Sequence, residues 1–234
     1  MSLSPAAELN TMAVAVLDVL RYLKDLGYEA VYRSSQTGPV ATADDPTVAE
    51  RGAALQVLAE QASGCEKCAL SDGRKQVVFG SGDSNADLMF IGEGPGAQED
   101  LKGLPFVGPA GELLTKIIRA IDLDRSQVYI ANIVKCRPPR NRDPEADEVA
   151  ACRGYLEGQI ELVRPRVLVA LGRVAAQTLL GTDLPLGRMR GDWYQVADRP
   201  LRVTYHPAAL LRNAALTRPA WEDMKVVRAR LEEG

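Results

Sequence analysis

All the cysteine in this chain is Cys65, Cys68, Cys136 and Cys152, spaced as C-x2-C, a gap of 67 residues, then C-x15-C. Two thiolates two residues apart can share one metal centre, and a second pair can close a four-sulfur site. A small disulfide scaffold would carry more cysteine in a shorter chain. Four buried thiols without a common role, or two bridges, are the plainer alternative. Zinc and an iron–sulfur cluster both fit four sulfurs, and spacing alone leaves that choice open. The lone histidine, His206, follows the apolar run Leu201–Tyr205 and precedes Pro207, which puts it at the end of a strand. One histidine excludes His-rich metal catalysis, and no G-x-S-x-G or similar nucleophile motif supports Ser-His-Asp chemistry. A third feature is Gly92-Glu93-Gly94-Pro95-Gly96, with Glu99 and Asp100 just beyond it. Its glycines permit close backbone approach to a ligand. Neither the dinucleotide-binding fingerprint nor a Walker loop is present.

These residues need elements to hold them. Leu88–Ile91, Val128–Val134, Val167–Leu171 and Leu201–Tyr205 read as four strands. Between them, Gly108–Leu123, Pro144–Val163 and Arg173–Leu180 read as helices, with another over 219–232. Pro144 suits the first turn of its helix. The alternation predicts a three-layer α/β/α fold around a central, mainly parallel four-stranded sheet. Ligands bind such sheets beyond the carboxyl ends of the strands. The Gly92–Gly96 turn, the stretch around Asn132 and His206 all fall there. Upstream, residues 5–27 have helical apolar spacing, 33–46 read as a linker, and Thr47–Ala62 reads as a helix leading to Cys65. The expected division is a helical extension with linker over 1–46 and an α/β domain over 47–234.

The 234 residues carry a net charge of −3, which argues against coating nucleic acid by charge alone. The distribution is uneven. Residues 137–234 hold 16 Lys and Arg against 13 Asp and Glu, and residues 1–136 hold 12 against 18. A local basic face is open to the C-terminal half, as are ordinary solvated helix faces. The apolar runs are far too short to span a bilayer. The start Met-Ser-Leu-Ser-Pro has no basic segment followed by an apolar core, so a cytoplasmic protein is expected.

Taken together, four segments resemble the family 4 uracil-DNA glycosylases. Gly92–Asp100 followed by Pro105-Phe106-Val107-Gly108 looks like that family's motif A. Ala131–Pro138 looks like its uracil-recognition strand, and Val203–Leu210 like its motif B. The cysteine spacing is similar to that of the family's [4Fe–4S] ligands. The resemblance covers about residues 50–234. Gly94 stands where alanine is expected in many relatives, a change expected to loosen the turn while removing no functional group. Glu93 separates the chain from a branch that lacks this acid, and no extra Arg/His loop of the adduct-forming branch is present.

The resemblance implies a DNA repair enzyme that flips uracil out of the stack and hydrolyses its N-glycosidic bond. Phe106 would stack on the base. Asn132 would pair with uracil O4 and N3–H, and Glu99 would crowd a thymine methyl. Gly94 would line the pocket beside them. Glu93 would hold the attacking water, and His206 would donate a hydrogen bond to the departing O2. Leu210 is the candidate wedge into the duplex, beside Leu211, and Arg212 is a candidate phosphate contact. Cys65, Cys68, Cys136 and Cys152 would ligate the [4Fe–4S] cluster, with zinc as the alternative. The expected partner is uracil-containing DNA, single- or double-stranded, with no membrane, bound by a monomer. A non-catalytic DNA-binding relative and a zinc-site hydrolase of another kind are the rival readings.

Overall fold

The computed structural model describes residues 45–233. The helix expected over 5–27 and nearly all of the linker lie outside them. The described chain opens with helices α1 (Val48–Ser63) and α2 (Leu70–Gly73). The α/β part follows in the order β1 (Ser81–Gly82), β2 (Leu88–Gly92), α3 (Ala97–Lys102), α4 (Pro109–Ala120), β3 (Tyr129–Asn132), α5 (Ala146–Val163) and β4 (Val167–Leu171). It ends with α6 (Arg173–Leu180), α7 (Leu186–Met189), β5 (Trp193–Val196), β6 (Arg199–Thr204), α8 (Pro207–Arg212) and α9 (Thr217–Glu232).

The sheet has six strands among the described residues, ordered β1-β3-β2-β4-β6-β5, and not four. The four anticipated strands form a parallel centre; β1 and β5 are antiparallel edges. The edges escape an apolar-run reading for physical reasons. β1 is two residues long, and β5 is only half-buried. The β5–β6 turn puts Ala197 and Asp198 in the left-handed region at φ 49° and 58°, without the glycine or asparagine that would announce it.

Strand side chains alternate between two cores. Met89, Ile91, Leu168, Ala170, Leu201 and Val203 face one side, with Leu156 and Ile160 of α5. Leu88, Phe90, Ile130, Val167 and Val169 face the other, with Leu114 and Ile118 of α4 and Met224 and Val227 of α9. This is the three-layer arrangement that βαβ alternation implies. Helix starts are fixed by caps as well as by proline. Thr47 and Glu50 form a capping box on α1. On α5 the box is Glu145 with Glu148, so the helix begins after Pro144, at Ala146.

Candidate active site and cysteine centre

The chain runs outward from β2 to β3 on one side and to β4 on the other, so a crevice opens at their carboxyl ends. A cavity of about 570 Å³ lies there, lined by Glu93, Gly94, Glu99, Phe106, Asn132, His206 and Arg212 among others. Every pocket residue expected from the sequence therefore reaches one cavity. Arg142, Asp143 and Arg173 line it too. None of these three belongs to the motifs, and only their charge could have drawn attention to them.

Gly92, the last residue of β2, lies against the side chains of Asn132 and Phe106. A Cβ there would run into the Asn132 Oδ1 and stand 2.6 Å from Phe106 Cζ. The missing side chain is what lets both groups approach. A Cβ on Gly94 would meet Val134 Cγ2 at 2.9 Å, so this turn is closely packed and not loose. Asn132 ends β3 and is 1% exposed, and its Oδ1 has no protein partner. A buried carbonyl oxygen without a donor carries a large desolvation cost, and it sits where a ligand N–H could relieve it. Phe106 takes φ 52°, uncommon for a bulky residue, and its ring lies 5.5 Å from that of His206. Glu99 accepts hydrogen bonds from the Val107 and Gly108 amides at 2.9 and 3.0 Å, so its carboxylate braces the loop that carries Phe106.

Glu93 is held largely out of water. Burial, then the negative charge of Asp143, raises its pKa to about 7, while Arg173 pulls it down. His206 moves in the opposite sense: burial, then Arg212, lowers its pKa to about 4, and Glu99 opposes. Its Nδ1 accepts from the Ala208 amide at 3.2 Å as the cap of α8. The proton of the neutral ring is then on Nε2. Gly172, at φ 92°, has room only for hydrogen on that side, because a Cβ would approach His206 Cβ to 2.9 Å. The site thus holds a carboxyl group that ionises near neutrality and an imidazole that stays uncharged.

On α8 the two leucines part company. Leu210 is 5% exposed and belongs to the packed interior; Leu211 is 54% exposed. Leu210, the candidate wedge, is therefore turned inward, on a short helix that packs against α4. Leu211 points to solvent, and Arg212 is exposed beside it.

The four cysteines also converge. Cys65, Cys68, Cys136 and Cys152 line one small cavity with Arg74, Lys135 and Tyr155, and none forms a disulfide. Arg74 Nη1 donates to Cys136 Sγ at 3.5 Å and to the Cys65 carbonyl at 2.6 Å. The Lys135 amide donates to Cys152 Sγ at 3.3 Å. Burial pushes the Cys136 thiol up to about 11 and raises Cys152 as well. A bound positive centre would reverse that balance. Among the described residues, no group of three or more His, Cys, Asp or Glu would grip a single ion. The sulfurs surround a cavity without closing on one point. Lys135 is wholly buried, with Nζ 2.7 Å from the Asn132 carbonyl and 2.5 Å from Gln159 Oε1. Among the described residues, no helix is long and apolar enough to cross a membrane.

The family model described as Uracil DNA glycosylase superfamily matches residues 79–225. A type-4 uracil-DNA glycosylase of Saccharolobus solfataricus is 44% identical over 186 residues, covering 76% of this chain and 86% of the relative. The Archaeoglobus fulgidus type-4 enzyme is 42% identical, covering 74% and 91%. The Thermotoga maritima one is 41% identical, covering 73% and 91%.

Proposed function

This chain belongs to the uracil-DNA glycosylase superfamily, and from that premise we propose that it is a type-4 DNA repair enzyme that hydrolyses the N-glycosidic bond of uracil and leaves an abasic site. One observation carries the assignment. Strand ends far apart in sequence bring Glu93, Asn132 and His206 to one cavity, and the buried amide oxygen of Asn132 has no protein partner.

Uracil leaves the stack and enters the cavity, where Phe106 stacks on it. Asn132 accepts from N3–H and donates to O4; cytosine offers the reverse pattern at both positions and is refused. The thymine methyl is excluded by Glu99, whose carboxylate two backbone amides hold still. Glu93 in its charged form orients the attacking water. As the bond to C1′ lengthens, negative charge gathers on O2, and the Nε2–H of His206 donates to it. A neutral donor suits this step, because it stabilises the leaving anion without needing to be protonated by solvent. With Leu210 buried, the wedge role passes to Leu211, and Arg212 is the adjoining phosphate contact.

Cys65, Cys68, Cys136 and Cys152 hold a [4Fe–4S] cluster. Four sulfurs lining one cavity, with a spacing similar to that of the family's [4Fe–4S] ligands, support a cluster over zinc. When bound, the cluster cross-ties the segment before the sheet to the end of β3 and to α5; hydrolysis itself moves no electrons. The substrate is uracil-containing DNA, single- or double-stranded, the protein acts as a monomer, and a cytoplasmic location goes with this role.

The test is single-turnover incubation with oligonucleotides carrying a central U, T or C, followed by alkaline cleavage. Cleavage at U alone is expected. Iron-loaded protein that binds the uracil oligonucleotide and cleaves none of the three would refute the enzyme and leave a DNA-binding relative of the same fold.

A further inference from the structure

Two charged residues of the cavity wall have no place in the reaction as described. Asp143 lies on the stretch between the 3-10 turn Pro139–Asn141 and α5, and Arg173 is the first residue of α6. Thirty positions apart, they form an ion pair between side chains about half exposed. Both line the cavity alongside Glu93. Neither is free to swing. Arg173 Nη1 also donates to Gln177 Oε1 at 3.0 Å. Asp143 is held through its neighbour: Arg142 Nη1 donates to the Asp143 carbonyl at 3.0 Å, while Arg142 grips the buried Glu148 carboxylate at 2.8 and 2.6 Å.

The other charged or titratable groups on this cavity are Glu99 on α3, Arg142 before α5, His206 at the cap of α8 and Arg212 at its end. Glu99 is engaged by two amides and Arg142 by Glu148. Asp143 and Arg173 are the two whose charges bear on Glu93. The geometry points to Asp143 and Arg173 as a positioning pair for Glu93, one member opposing its negative charge and the other supporting it, so that the pair sets the pH at which the water-orienting carboxylate is available. The inference rests on the glycosylase reading for the role of Glu93, but the ionisation itself is a property of the folded chain.

The pair gives a signature that simple structural support would not. Loss of either member breaks the same salt bridge, and a structural role would make both losses act alike. An electrostatic role makes them act in opposite directions. Asp143→Asn removes a negative neighbour, so Glu93 ionises at lower pH. Arg173→Gln removes a positive neighbour and leaves Asp143 unopposed, so Glu93 ionises at higher pH. Each shift is expected to be about half a pH unit, small because both side chains meet solvent. The double variant should return close to wild type.

Two readouts on the full chain separate the claims. The first is the acid limb of the single-turnover excision rate at saturating enzyme. The second is infrared titration of the Glu93 carboxyl band without DNA, using Glu93→Gln as the blank. Opposite displacements in the infrared titration, mirrored by the acid limbs, are expected. Displacements in the same direction, or none in either single variant, overturn the pairing. A wild type that excises no uracil while its infrared titrations still split would sink the glycosylase reading and leave the pair standing.

Discussion

His206→Ala is the substitution whose outcome the geometry fixes most tightly. The wild-type ring is neutral down to about pH 4, because burial and then Arg212 disfavour its charged form. Its Nδ1 is occupied as an acceptor for the Ala208 amide. The expected loss has two parts. Removing one preorganised donor to a developing oxyanion costs about 2.7–4 kcal/mol. Removing a ring 5.5 Å from Phe106 takes away an aromatic contact of about 0.5–1.5 kcal/mol that steadies the stacking residue. Together these predict a single-turnover excision rate roughly 10²–10⁴ below wild type. The assay is excision from a fluorescent uracil oligonucleotide at saturating enzyme, from about pH 5.5 to pH 8, for both proteins. The wild-type to variant ratio should be flat, since His206 does not titrate in that window, and both profiles should fall together below about pH 7 as Glu93 takes up its proton. A ratio that climbs tenfold as the pH falls would mean that the imidazolium is the working form. That result would refute the neutral-donor argument even if the variant were slow.

Glu93→Gln should abolish the acid limb along with most of the activity, and it should stabilise the fold above neutrality. The folded carboxyl ionises near 7 against an ordinary 4.5, so the folded state holds the extra proton between those values and wild-type stability falls as the pH rises through them. The variant should therefore melt a few degrees higher at pH 8 and match wild type below about pH 4.5, as read by thermal denaturation. Leu210→Ala should cost about 2–5 kcal/mol of folding stability, measured in urea, because it empties a packed site. Leu211→Ala should leave stability within about 0.5 kcal/mol, yet slow excision from duplex roughly tenfold while sparing single strands; equal slowing on both would remove the wedge. Cys152→Ser should lower iron per chain and visible absorbance while leaving the cavity residues in place, as iron assay and optical spectra would show.

What could be seen beforehand followed from local chemistry. Gly92–Gly96, the Asn132 stretch and His206-Pro207 are short runs whose residue types declare a turn or a strand end, so their gathering at the sheet's carboxyl edge was legible once four strands were recognised. What could not be seen depended on the third dimension. Adjacent leucines on a short helix are equivalent in sequence, and only the packing of α8 on α4 turned Leu210 in and Leu211 out. The Asp143–Arg173 pair joins a loop to the first turn of α6, which no spacing rule connects. The edge strands were hidden because β1 is too short to show a pattern and no residue of β5 is fully buried. The helix from Ala146 hid its start differently, since a glutamate box does the work that Pro144 advertised.

The empty position above Gly92 restricts how this lineage can change. Any side chain there strikes the Asn132 amide and the Phe106 ring together, so a mutation at that codon displaces both groups at once. New substrate preferences must instead be reached by altering the walls, through Phe106, Glu99 or the residues bracing them. Position 92 is closed to selection while the cavity walls are open to it, and directed-evolution libraries on this scaffold should leave residue 92 untouched.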